Sequence, residues 1–326
     1  MKKRLAACLL ALAMALSMAG CAGGGADNKV VIYSSAEEYR NEFLQQELNK
    51  QFPDYQITIE YMTSGNQAAK LLAEGTGSAC DISYDLEYGY VDKLRGVLAD
   101  LSSYDTTQFL DELVDPGMNV LPELRNGGCI AINRKLLADK GVAVPTSYQD
   151  LLKPEYKGLI SMPNPKSSGT GYMFLKSLVN AWGEEEAFEY FKELTPNVLA
   201  YTSSGSGPVN ALVQGEAAIG LAMTAQTVTE INNGADLEIL YFEEGSPYSS
   251  YGMAMVKGKE QRESVKAVFD YLLNTLVPME KEKFFPEKIY KDKDFTITNY
   301  PTDIQYADMS NDTAEEKERL LAKWQY

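Results

Sequence analysis

Leu159-Ile160-Ser161-Met162-Pro163-Asn164-Pro165-Lys166-Ser167-Ser168-Gly169-Thr170-Gly171-Tyr172 carries the chain from an apolar run into a helix. Leu159 to Met162 reads as a buried strand, and the apolar spacing of Met173 to Val179 reads as a helix. The turn between them is rich in Ser, Thr and Gly. A helix start has unpaired backbone N–H groups and the positive end of the helix dipole. Small hydroxyls and glycines added there make a cradle for an anion. Plain N-capping explains any single turn of this kind equally well. The choice depends on whether the chain repeats the arrangement elsewhere.

It does so three more times. Lys29 to Tyr33 reads as a strand followed by Ser34-Ser35 and a helix over 36–52, with Tyr39, Phe43, Leu44, Leu48 and Phe52 on its apolar face. Gln56 to Tyr61 alternates as a second strand and leads through Ser64-Gly65-Asn66 into Gln67-Ala68-Ala69-Lys70-Leu71-Leu72. Asn197 to Tyr201 leads through Ser203-Ser204-Gly205-Ser206-Gly207-Pro208 into a helix over 209–214, with Pro208 suited to its first turn. Cys80 to Tyr84 reads as a third strand. The β-α-β-α-β run implies a parallel sheet with right-handed crossovers, hence an α/β fold. Further strands are expected over 127–133, 217–223, 237–241 and 251–256. Helices are expected over 90–98, 184–194, 261–274 and 313–324. In open α/β sheets ligands bind outside the carboxyl ends of the strands. Four such turns facing one cleft would hold an oxygen-rich anion without bulk positive charge.

The first twenty residues stand apart. Lys2, Lys3 and Arg4 precede an apolar run ending in Met18-Ala19-Gly20-Cys21, which reads as a secretory signal peptide over 1–20. The small residues before Cys21 resemble the bacterial lipobox, so Cys21 is expected to carry a lipid, and residues 21–28 form a short tether. The formal net charge is −16, and losing Lys2, Lys3 and Arg4 takes it to about −19. That argues against nucleic acid and against a polybasic membrane-binding face. Cys80 and Cys129 remain in the body and either pair or stay as buried thiols. The chain has no histidine. Ser-His-Asp and Cys-His nucleophiles and HExxH zinc sites are therefore excluded, and no enzymatic role is expected.

The sequence resembles the extracellular solute-binding proteins of bacterial ABC importers, in the ferric-binding-like branch of the type 2 periplasmic-binding fold. The resemblance rests on Val31-Ile32-Tyr33-Ser34-Ser35, Asp150 to Gly158, Ser168-Gly169-Thr170-Gly171-Tyr172, Asn197 to Ser206, Gln214 to Gly220 and Phe285-Pro286. It implies two lobes, each a mainly parallel sheet flanked by helices, joined by hinge strands. The implied division places 29–125 and 257–300 in one lobe and 130–250 and 301–326 in the other. It also implies a permease and ATPase as partners and a monomeric protein; with the lipobox, the chain is expected outside the cytoplasm, lipid-anchored to the outer face of the cell membrane or periplasmic.

Iron-binding members use an adjacent tyrosine pair after the strand matching Ala217 to Met223. This chain has Thr224-Ala225-Gln226-Thr227 there, and no adjacent tyrosine pair anywhere. A small phosphonate or phosphorylated organic anion is therefore expected, with ferric iron as the alternative and a solute sensor or lipid-anchored enzyme as readings of another class. The expected contacts are Ser35, Ser64, Ser168, Gly169, Thr170, Ser204, Ser206 and Thr224, with no metal ligand and no cofactor. Gln226 is expected beside Thr224, Tyr172 and Tyr248 as cleft walls, and Lys166 as added charge. Glu37 is a ligand only in the iron reading.

Overall fold

A computed structural model describes residues 28–326, so the signal peptide and Cys21 lie outside the described residues. The chain folds as α/β around a nine-stranded mixed sheet. In chain order the strands are β1 (Lys29–Ser34), β2 (Gln56–Tyr61), β3 (Ile82–Glu87), β4 (Leu121–Ile132), β5 (Ile160–Pro163), β6 (Val198–Thr202), β7 (Ile219–Met223), β8 (Glu238–Leu240) and β9 (Tyr248–Met255). Their order in space is β2-β1-β3-β9-β4-β7-β5-β6, with β8 also on β4. β1 pairs in parallel with β2 and β3, and β5 with β6 and β7. The two parallel groups are joined by antiparallel β9 and β4.

β4 is where the sheet changes partners. Leu121 to Gly127 pair with β9, and Gly128 to Ile132 pair with β7. The sequence pattern placed only the later part of this strand, because Pro122, Glu123, Arg125 and Asn126 interrupt the apolar run. Proline is tolerated at a bulge, and the register of β4 shifts between Pro122 and Leu124. The charges are tolerated because each finds partners distant in sequence. Glu123 accepts from Arg40 Nη2 at 2.7 Å and from the Asp85 N–H at 2.8 Å. Arg125 lies against the Tyr306 and Tyr248 rings and donates to Glu112.

The helices used below are α1 (Glu38–Gln51), α2 (Ser64–Glu74), α3 (Val91–Leu94), α4 (Arg134–Asp139), α5 (Gly169–Trp182), α6 (Glu184–Leu194), α7 (Gly207–Val213), α8 (Thr224–Asn232), α9 (Glu263–Tyr271), α10 (Val277–Lys283) and α11 (Ala314–Lys323). A π-helical turn over Leu272–Leu276 runs α9 into α10, so this segment is longer than its periodicity suggested. One core gathers Val30, Ile32, Leu44, Leu48, Ile82, Met255, Val268 and Phe269 between the first strands and helices α1 and α9. Another gathers Ile132, Ile160, Met162, Phe174, Phe191, Leu221, Leu320 and Trp324. Expectation and structure differ on α1: Arg40 is buried and Tyr39 is 47% exposed, its ring edge-on to Phe284. The reason is a buried ion cluster that takes the Arg40 side chain inward. Cys80 and Cys129 are both free and buried.

Candidate functional site

A cleft of about 1230 Å³ opens between the two sheet groups. Ser35, Ser64, Ser168, Gly169, Thr170, Ser204 and Ser206 all line it. The four turns read from the sequence thus meet in one place. Each sits where a strand hands over to a helix: β1 to α1, β2 to α2, β5 to α5 and β6 to α7.

The helix starts at this cleft are not capped by their own side chains. Neither Thr63 before α2, Ser168 before α5 nor Ser206 before α7 bonds its helix through its side chain. Away from the cleft, residues of the same kind do cap. Asn133 accepts from the Leu136 N–H at the start of α4, and Thr313 from the Glu316 N–H at the start of α11. Plain capping therefore does not account for the hydroxyls at the cleft.

The turn before α5 is shaped by Asn164. Its side-chain oxygen accepts from the Lys166 N–H at 2.9 Å, and its carbonyl accepts from the Ser168 N–H at 2.9 Å. Gly171 is required by close approach: a Cβ there would stand 2.4 Å from the Pro163 carbonyl oxygen. The turn before α7 lies directly against this one, since a Cβ on Gly205 would stand 2.3 Å from Thr170 Oγ1. Ser204 and Ser206 share a hydrogen bond at 2.9 Å. Together these turns form one wall, with Lys166 as its cation and no carboxylate among its lining residues.

The opposite wall is acidic. Glu37, Glu38, Glu42, Asp85 and Glu87 line it, with Arg40 among them and Lys317 of α11 beside Glu87. Its hydroxyls are engaged: Ser35 Oγ donates to the Asp85 carbonyl at 2.5 Å, and Ser64 Oγ donates to Ser35 Oγ at 3.1 Å. Arg40 is held by Asp85 (2.7 Å), Glu123 (2.7 Å), Glu280 (2.8 Å) and Glu37 (3.3 Å). Burial opposes its charge, but these carboxylates outweigh it and hold the guanidinium protonated. Burial, then the Asp85 charge, pushes the Glu123 carboxyl well above the usual range. Tyr84 donates its hydroxyl to Glu280 in the same cluster. Glu87 and Lys317 pair at 2.5 Å, both largely buried. Asp85 has φ +56, an uncommon left-handed conformation for this residue, next to the bulge in β3.

Other expected contacts lie elsewhere. Thr224 is fully buried, does not line the cleft and shares a hydrogen bond with Tyr241. It begins α8 behind Met223, so the cleft receives the Met223 side chain instead. Gln226 donates to the Ser206 carbonyl, supporting the turn from behind. Tyr172 is buried and donates to Asp312, and Tyr248 stacks on Arg125. The residues missed in the sequence are Arg40, Asp85, Glu87, Asn126 and Lys317. Only their charge or amide marked them, and neither signals proximity across such spans of chain. Among the described residues no group of three or more Cys, Asp or Glu side chains is placed to hold a metal ion, and no helix is long and apolar enough to cross a membrane.

A profile of the family described as bacterial extracellular solute-binding protein matches residues 96–314. An uncharacterized protein of Haemophilus influenzae is 30% identical over 281 residues, covering 81% of this chain and 79% of that protein. The spermidine/putrescine-binding periplasmic protein of Salmonella typhimurium is 26% identical over 296 residues, covering 86% of this chain and 82% of the relative. The solved structure of the periplasmic binding protein AfuA from Actinobacillus pleuropneumoniae, with exogenous fructose-6-phosphate bound, superposes with a TM-score of 0.78 at 26% identity. That match covers 91% of this chain and 97% of AfuA. The fold is that of the ferric-binding-like branch of the type 2 periplasmic binding proteins.

Proposed function

The chain belongs to the bacterial extracellular solute-binding proteins, the substrate-binding components of ABC importers, and from that premise we propose that its cleft captures a small phosphonate or phosphorylated organic anion. The observation that carries this reading is the division of charge between the walls. Every lining carboxylate stands on the wall built from α1 and β3, while the wall of Ser168, Gly169, Thr170, Ser204 and Ser206 has none. That second wall offers the uncapped start of α5, hydroxyls that bond nothing beyond the wall, and the Lys166 ammonium. A phosphate or phosphonate group placed there meets N–H donors and the positive end of the α5 dipole. The rest of the solute then faces the acidic wall, whose carboxylate oxygens beyond those holding Arg40 and Lys317 suit hydroxyl groups.

Closure follows from β4 and β9, which belong to both sides of the cleft; lobe 1 (29–125 and 257–300) and lobe 2 (130–250 and 301–326) would turn about them. The chain binds its solute without transforming it, works as a monomer, and hands the solute to a permease and ATPase. It is held outside the cell by a lipid on Cys21.

A cationic amine is the second reading, favoured by the acidic wall and by the likeness to a spermidine/putrescine-binding protein. Against it, the buried carboxylates of that wall already hold Arg40 and Lys317. Calorimetry on the intact chain separates the readings. Inorganic phosphate, methylphosphonate, glycerol 3-phosphate and fructose 6-phosphate are titrated beside putrescine and ferric citrate. Heat from the phosphate and phosphonate probes alone is expected. Saturable binding of putrescine with silence from all four anions would replace an anion site by an amine site, and a tyrosinate–iron colour would replace it by a metal site.

A further inference from the structure

The floor of the cleft is formed by the two strands that join its walls, and it contains a buried amide that the protein does not satisfy. Asn126 of β4 lines the cleft and is only 8% exposed. Its Nδ2 donates to the Met223 sulfur at 3.4 Å, a weak acceptor. Its Oδ1 is buried with no hydrogen-bond partner among the described residues. Turning the amide over exchanges the two ends but still leaves one facing only sulfur. A buried polar group left this way costs about 1–3 kcal/mol, so such groups normally have a partner.

Tyr251 of β9 lines the same floor, two registers from Asn126, since Asn126 faces Ser249 and Leu124 faces Tyr251. Its hydroxyl lies 3.8 Å from where a Cβ on Gly169 would stand. The floor therefore presents an amide and a phenol beside the start of α5, where the anion is placed above.

We propose that Asn126 and Tyr251 are specificity-determining residues that read a hydroxyl group on the solute close to its anionic end. A hydroxyl both donates and accepts, so it meets the amide in either orientation. Simple alkylphosphonates and inorganic phosphate have no such group on carbon. Because the two residues sit on the crossing strands, the bond they form also reaches the elements about which the walls turn. This proposal rests on the anion reading of the wall that carries Ser168, Thr170 and Lys166.

The test compares wild type with Asn126→Ala, Asn126→Leu and Tyr251→Phe, each first checked for a native circular dichroism spectrum and a single cooperative melt. Inorganic phosphate and methylphosphonate are titrated against glycerol 3-phosphate and fructose 6-phosphate. The expected result is about a tenfold or greater loss of affinity for the hydroxylated esters, with phosphate and methylphosphonate within about twofold of wild type. Tyr251→Phe should give a smaller loss of the same pattern. Equal weakening of all probes would make these residues structural, and ester binding unaffected by all three variants would remove them from the site, both leaving the anion wall intact. If wild type bound none of the four probes, the anion wall itself would fall and the floor assignment with it. Asn126→Leu guards the result if Asn126→Ala unfolds, because leucine keeps the branched shape and leaves no cavity and no unsatisfied amide.

Discussion

The two walls of the cleft are built from the same local grammar, strand then Ser-rich turn then helix, yet they differ in what their polar groups already do. On the acidic wall Ser64 donates to Ser35, Ser35 donates to Asp85, and Asp85 accepts from Arg40. The Arg40 guanidinium in turn reaches Glu123 and Glu280. On the facing wall Ser204 and Ser206 bond only each other through their side chains, and Ser168 does not cap its helix. A chain of internal bonds gives the first wall a fixed shape. The second wall leaves its side-chain donors unused by the rest of the protein. Similar sequence motifs can therefore divide into one part tied up internally and one part left open to the cleft.

Removing the centre of the fixed wall should have the largest effect. Arg40→Met leaves four carboxylates near one another without their cation, and taking one partner from a buried pair costs about 3–5 kcal/mol. Urea unfolding should show that loss at pH 7. The deficit should shrink toward pH 5, because Glu123 and Glu37, already raised by burial, lose the cation that lowers them and take up protons in the folded state. A loss below about 1 kcal/mol would mean that the cluster does not organise this wall.

The second test concerns a charge behind the wall. Lys281 of α10 is fully buried, and burial pushes its ammonium down to about 8 against the attraction of Glu287 and Glu123. Between pH 8 and the unfolded value near 10.4, the unfolded chain binds a proton that the folded chain does not. Stability should therefore rise with pH across that window, by up to about 3 kcal/mol relative to Lys281→Met. A flat difference between the two pH profiles would contradict the shift.

The open wall is tested through its backbone. Gly171→Ala pushes a methyl against the Pro163 carbonyl and the Asn164 and Pro165 backbone. It should cost about 2 kcal/mol and weaken phosphate binding, because the turn that aims the α5 start must move. Binding at wild-type strength would show that the turn's shape is irrelevant to the ligand.

The smallest expected effect contrasts the walls directly. Ser168→Ala with Thr170→Ala should weaken phosphate binding about tenfold with stability within about 1 kcal/mol, while Ser35→Ala with Ser64→Ala should change it by about threefold or less. Reversed magnitudes in calorimetry would exchange the roles assigned to the walls.

Most of the architecture was legible because it rests on local signals. Val30, Ile32 and Ile160 stand in apolar runs, and the Ser/Gly turns stand where those runs stop. The pattern failed at Leu121 to Asn126, where proline and charges occupy a strand that crosses the molecule. Nothing nearby in sequence indicates that Glu123 meets Arg40 or that Arg125 lies on Tyr306; those partners come from tertiary contact alone. Thr224 failed for a related reason. It follows a strand and opens a helix, like the other four turns, but its side chain points toward Tyr241 rather than the cleft. The strand-turn-helix pattern located the turns that line the cleft but gave no sign of the Asn126 amide, whose interest lies in an oxygen without a partner.

Both tryptophans of the chain, Trp182 and Trp324, pack around the same core as Phe191, Tyr190 and Tyr148. The core that holds Val30, Leu44 and Phe269 has neither. The molecule thus carries an intrinsic optical label on one side only. Tryptophan emission during denaturation would follow that side alone, while far-ultraviolet circular dichroism would follow both. The gap between the two curves would measure how far one half can melt while the other stays folded.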